Sequence, residues 1–289
     1  MIPVSLTQIK TSDGILLDGI VVEPKQKSGT ALIWVHGLTS YFYSSPTLVS
    51  ELSRLCTKNR IGYFKFNTRG HDIAVRGQRK DKFLGTIYEI FEDCVPDIRA
   101  MIRFARLRGY KKIILAGHST GAQKIVYYVH KTRDRNVKGL ALLGAANDIS
   151  AEIRRTGKRE YEKNLRRAQS LHRKDPTTLF MSQGYLFTAR RFLSLHTPGT
   201  AEDTFPYYDA SAQWKAMESI RTPLVVIFGS RDECLDRPAQ KLIETFRAHA
   251  PLAKSFSCSI IKNANHGFKG KEKQLSHSII YWIKSIIKT

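Results

Sequence analysis

Ser119 stands in the pentapeptide Gly117-His118-Ser119-Thr120-Gly121, between the apolar run Lys112 to Ala116 and the helix-like stretch Ala122 to His130. A serine on a sharp strand-to-helix turn projects its hydroxyl beyond the sheet edge, and small residues two before and two after it let strand and helix approach closely. Serine at neutral pH is a poor nucleophile. It needs an imidazole to take its proton and a carboxylate to fix the imidazole's tautomer and stabilise the imidazolium. Two later loops offer such groups. The run Leu224 to Phe228 ends in Gly229-Ser230-Arg231-Asp232, and the run Cys258 to Ile261 leads into Asn263-Ala264-Asn265-His266-Gly267. His266 is the candidate base, ahead of His249 and His277, which fall in predicted helices. Asp232 fits the third role, with Glu233 and Asp236 beside it.

The elements that must position these residues read as an α/β fold. Apolar runs at 31–35, 61–67, 112–116, 137–143, 224–228 and 256–261, mostly separated by helical patterns, predict buried parallel strands in a doubly wound sheet. Alternation over Val4 to Ile9 and Ile15 to Val22 around Ser12-Asp13-Gly14 predicts an antiparallel hairpin at its edge. Helices fit 47–58, 95–105, 120–132, 238–249 and 272–287. From Ile149 to Arg221 no strong strand appears. Ala151 to Asp175 has an apolar helical stripe interrupted by Gly157, and the aromatics Phe187, Phe192, Phe205, Tyr207, Tyr208 and Trp214 could wall a pocket or pack among themselves.

Serine, acid and histidine each follow a strand-like segment, in that order. With His36-Gly37-Leu38 after Ala31 to Val35, and Thr68-Arg69-Gly70-His71 after Ile61 to Asn67, the chain resembles the α/β-hydrolase superfamily over nearly its whole length. The resemblance implies an α/β-hydrolase core from 1–148 and 222–289, with a mostly parallel eight-stranded sheet, and a mainly helical cap from 149–221. It implies a catalytic triad of Ser119, His266 and Asp232, with Asp148 as a rival acid because some superfamily members place theirs after that strand. The amides of Leu38 and Thr120 would hold the oxyanion, while His36, Gly37, Gly117 and Gly121 support the loops and Arg69 ties them together. A serine nucleophile disfavours haloalkane dehalogenase and epoxide hydrolase activity, which use aspartate there. Phe66 to Asp72 and Arg191 to Leu195 resemble a branch that includes siderophore esterases. The implied reaction is hydrolysis of a small-molecule carboxylic ester, thioester or lactone through an acyl-enzyme, without cofactor. Two other readings stay open: an aminopeptidase or amidase, and a non-catalytic binding module with a basic surface.

Bulk properties bound these expectations. A chain of 289 residues can bury about three quarters of its unfolded surface. No run of 18 apolar residues would make a membrane-spanning helix. The N-terminus carries no secretion signal, so a cytoplasmic location is expected. Cys56, Cys94, Cys234 and Cys258 lie far apart, which predicts reduced thiols and no metal site. The net charge of +22, from 47 basic and 25 acidic residues, favours weak, salt-dependent association with acidic surfaces, but no motif points to specific nucleic-acid recognition.

Overall fold

The computed structural model describes residues 3–77, 83–182 and 184–287. An antiparallel hairpin, β1 (Ser5–Lys10) and β2 (Leu16–Val22), opens the chain. Then come β3 (Thr30–Val35), α1 (Pro46–Lys58), β4 (Gly62–Phe66) and a two-residue antiparallel pair, β5 (Val75–Arg76) with β6 (Phe83–Leu84). They are followed by α2 (Cys94–Leu107), β7 (Lys112–His118), α3 (Thr120–Thr132) and β8 (Val137–Leu143). Beyond β8 lie α4 (Asp148–Thr156), α5 (Lys158–Lys174), a hairpin of β9 (Leu179–Ser182) and β10 (Tyr185–Thr188), α6 (Ala189–His196) and the short α7 (Lys215–Glu218). The chain closes with β11 (Leu224–Gly229), α8 (Ala239–Ala248), β12 (Phe256–Ile261) and α9 (Glu272–Ile287).

Eight strands form one sheet in the order β1-β2-β4-β3-β7-β8-β11-β12. The six from β4 to β12 are parallel and β2 runs against both its neighbours, as the sequence predicted. Apolar side chains on both faces explain why these strands read as unbroken hydrophobic runs. In β7, Ile113 and Leu115 enter one core with α2, α3 and α8, while Ile114 and Ala116 enter a second with α1 and α9. Helices α2 and α3 bury stripes at helical spacing, such as Ile98, Met101, Ile102 and Ala105. Among the described residues, no helix is long and apolar enough to cross a membrane.

The segment between β8 and β11 differs in detail from its sequence reading. The amphipathic stretch is two helices, because Gly157 sits at φ 82° and ψ 150° between α4 and α5. A hairpin, β9 and β10, lies where no strand was expected, since four residues per strand leave too short an alternation to read. Its aromatics do not line a common pocket. Phe187 and Phe192 pack with Phe180, Ala168 and Leu195 in a small core of their own, onto which Leu38 also packs. Phe205, Tyr207 and Trp214 instead join the main core against Phe246 of α8.

Charged groups tie this segment to α3 and to the connection before α2. The fully buried Arg191 of α6 donates from Nη2 to Glu89 Oε2 and Glu202 Oε1, each at 2.9 Å, and from Nη1 to Glu202 Oε2 at 2.5 Å. Lys124 of α3, also fully buried, lies 2.5 Å from the other Glu89 oxygen. Burial disfavours a charged Glu89, but Lys124 and Arg191 outweigh that and hold its carboxyl below its ordinary value.

Candidate active site

Ser119 caps the N-terminus of α3 with φ 56° and ψ −129°, a conformation that costs a non-glycine residue about 1–3 kcal/mol. The turn holds because its neighbours leave no slack. Ser119 N donates to Leu143 O at 2.9 Å, and Ala122 N donates to Ser119 O at 2.8 Å. A methyl on Gly121 would sit 2.2 Å from the Val35 carbonyl oxygen, and one on Gly117 would sit 2.3 Å from that of Gly121. Only glycine allows β3, β7 and α3 to converge this closely.

His266 follows β12 and Asp232 follows β11, and the sheet brings them together. His266 Nδ1 lies 3.0 Å and 3.1 Å from the two carboxylate oxygens of the buried Asp232. Cys234 N donates to Asp232 Oδ1 at 2.9 Å and so orients the acid. The backbone of His266 is clamped at both ends. Its N–H donates to Glu233 Oε2 at 2.9 Å, and its carbonyl lies 2.8 Å from His118 Nε2. A carbonyl only accepts, so His118 carries its proton on Nε2. Burial, aided by His266, pushes the His118 imidazole down to about 4, which keeps it neutral. Burial also disfavours a charged His266, yet Asp232 and Cys234 more than offset this and raise its pKa above the ordinary histidine range. Asp148 is placed otherwise: its Oδ2 accepts from Gln123 Nε2 at 2.8 Å, and burial, then Glu202, push it up to about 7.

Ser119 and His266 line one cavity of about 170 Å³, together with His36, Leu38, Ser44 and Lys65. No direct hydrogen bond joins the Ser119 hydroxyl to the imidazole. The amides of Leu38 and Thr120 have no acceptor among the described residues. That of Thr120 is an orphan donor of the first helical turn. The loop carrying Leu38 is held from both sides: Thr39 N donates to Thr86 Oγ1 at 2.8 Å, and Thr68 N donates to His36 Nε2 at 2.9 Å. His36 therefore bears its proton on Nδ1, which donates to Gly37 O at 2.8 Å, and burial holds its pKa well below the usual value.

Arg69 is engaged by three carboxylates, those of Asp13, Asp93 and the fully buried Asp97, and so joins the first hairpin to the start of α2. Other groups went unseen in the sequence. Lys65 is the one charged residue of β4; its Nζ donates to Ser44 O at 2.6 Å and Ser44 Oγ at 3.1 Å, and burial lowers its pKa to about 7. A lysine inside an apolar strand was the available signal. His118 and Glu233 were neighbours of candidate residues with no pattern to mark them as clamps. The ligating atoms of Asp232, Cys234 and His266 lie within 4.8 Å of one another, a cluster that sequence spacing hid because it spans two loops. At the far end of the sheet, where β7 and β8 begin, a cavity of about 670 Å³ is rimmed by Lys112, Arg133, Arg135, Lys138, Arg221 and Lys254.

A family model described as "Protein of unknown function (DUF1749)" matches residues 88–288. No curated protein matches the sequence. Solved structures align over almost the entire chain. The siderophore hydrolase EstB from Aspergillus fumigatus is 17% identical, with a TM-score of 0.70 over 100% of this chain and 99% of its own. Est1E from Butyrivibrio proteoclasticus, solved with ferulic acid bound, is 16% identical, with a TM-score of 0.67 over 98% and 100%. An esterase of Pyrococcus furiosus is 13% identical, with a TM-score of 0.62 over 99% and 92%. At these identities the likeness carries the fold, which is that of the α/β-hydrolases.

Proposed function

The chain belongs to the DUF1749 family of proteins of unknown function, and for this member we propose hydrolysis of a carboxylic ester by a serine triad. One observation carries the reading: a serine on a strained strand-to-helix turn shares a cavity with an imidazole backed by a buried carboxylate. In this reaction Ser119 Oγ attacks the ester carbonyl while His266 Nε2 takes its proton. Asp232 holds the Nδ1–H tautomer and stabilises the imidazolium. The oxyanion of the tetrahedral intermediate accepts from the unspent amides of Leu38 and Thr120, each worth about 10²–10³ in rate. Collapse expels the alcohol, which receives the proton from His266, and water then releases the acid from Ser119 by the same steps in reverse order. The Ser119–His266 hydrogen bond forms as substrate fills the cavity, since such bonds commonly tighten only in the complex. Residues 149–221 act as a cap whose small core bears on Leu38 of the oxyanion loop.

The names of two structural neighbours, a siderophore hydrolase and an esterase, agree with ester chemistry. A fluorophosphonate probe tests the proposal. Wild-type protein should be labelled on Ser119 and a Ser119→Ala variant should not; an unlabelled wild type would favour a binding module. Turnover of p-nitrophenyl acyl esters well above that of aminoacyl anilides separates an esterase from an aminopeptidase.

A further inference from the structure

The Cys234 thiol makes and breaks no bond in ester hydrolysis, yet it stands against the acid and base of the triad. The side-chain ligand atoms of Asp232, Cys234 and His266 all lie within 4.8 Å of one another, and the Asp232–His266 pair is already at 3.0 Å. Tetrahedral zinc, with bonds near 2.0–2.3 Å, needs its ligand atoms roughly 3.4–3.6 Å apart. Each atom has therefore about 1 Å or less to move. The three side chains leave the metal's fourth position to water, and a thiolate in the set selects soft or borderline ions over magnesium and calcium. The anchoring is firm. Asp232 is fixed by the Cys234 amide, and the His266 backbone is held by Glu233 and His118.

We propose that Asp232, Cys234 and His266 form a zinc-type site that switches the enzyme off. The regulatory part of this proposal rests on the triad reading above. On binding, the Cys234 thiol gives its proton to solvent and bonds to the metal as thiolate, Asp232 turns an oxygen from the imidazole to the metal, and His266 coordinates through Nδ1. The neutral ring then carries its proton on Nε2. That nitrogen has no lone pair to receive the Ser119 proton, so the nucleophile loses its base without any change in fold.

Cobalt(II) serves as the spectroscopic probe and zinc(II) as the inhibitor. Titration of wild-type protein with cobalt should give a thiolate-to-metal charge-transfer band and a tetrahedral visible spectrum. The band should persist in Ser119→Ala and vanish in Cys234→Ala. Zinc should inhibit wild-type hydrolysis of a p-nitrophenyl ester, reversibly with chelator. Relative to its own metal-free rate, Cys234→Ala should need about 100-fold more zinc for half inhibition, the top of the range that losing an outer partner of a metal site costs. Cobalt bound without the thiolate band, or equal zinc inhibition of wild type and Cys234→Ala, would overturn the site. A band in a protein that neither hydrolyses esters nor labels at Ser119 would keep the metal site and remove its regulatory role.

Discussion

Replacing Asp232 by asparagine and, separately, Asp148 by asparagine distinguishes the two acids by rate. Asp232 oxygens lie 3.0 Å and 3.1 Å from His266 Nδ1, whereas Asp148 spends its carboxylate on Gln123. Opposite charges about 4 Å apart at an effective dielectric of 20 are worth about 4 kcal/mol. Losing that attraction as the imidazolium forms slows the reaction about 10³-fold. An asparagine amide can also hold the ring in the wrong tautomer, and triads treated this way lose about 10⁴ in kcat. Asp232→Asn should therefore cut kcat for p-nitrophenyl acetate by about 10³–10⁴ with KM little changed. Asp148→Asn should stay within about tenfold of wild type. Its carboxyl, raised to about 7, is penalised for ionising in the folded state, so wild type loses stability relative to this variant as pH rises from about 4 to 7. A rate loss in Asp148→Asn equal to that in Asp232→Asn, or an Asp232→Asn enzyme within tenfold of wild type, would refute this assignment.

Five further outcomes follow from the same geometry. Ser119→Gly should relieve the φ 56° strain and raise Tm by roughly 2 °C, measured by calorimetry, while abolishing activity. The rate constant kcat/KM should rise with pH through an apparent pKa above 6.5, because Asp232 favours the protonated His266; in Asp232→Asn the limb should move to lower pH. The same pairing stabilises the fold fully below about pH 6.5 and is lost as pH climbs through the raised value, which urea denaturation across pH would show. Arg191→Met should strip Glu89 and Glu202 of a buried partner and cost about 3–5 kcal/mol in the same assay. Binding to anionic vesicles should weaken from low to physiological salt and fall further in an Arg135→Glu, Lys138→Glu double variant; a flat salt response would detach the net charge from any acidic partner.

Much of this architecture is legible from periodicity, because parallel strands buried on both faces leave continuous apolar runs, and α1, α2, α3, α8 and α9 bury stripes at helical spacing. Ser119, His266 and Asp232 can be read for a related reason: each sits at the end of such a strand, where the chain must turn. Less visible are features made by distant residues. Arg191, Glu89, Lys124 and Glu202 look like ordinary surface charges until folding buries them together. The hairpin β9–β10 is too short to show alternation, and the aromatics from Phe187 to Trp214 could not be sorted between two cores by composition. Glu233 and Cys234 matter through what they touch, which no local pattern encodes, and Lys65 stands out in its apolar strand without revealing its partners.

The buried quartet of Glu89, Lys124, Arg191 and Glu202 has a consequence for any movement of residues 149–221. A hinged lid would have to draw Arg191 out from between two carboxylates and leave them stranded in a dry interior, at a cost near half of a typical protein's whole stability. Helix α6 is thus riveted in place through Arg191. The cavity beside Ser119 is bordered instead by Leu38, Ser40, Ser44 and Ser45, and changes of taste for different esters are to be sought in that stretch.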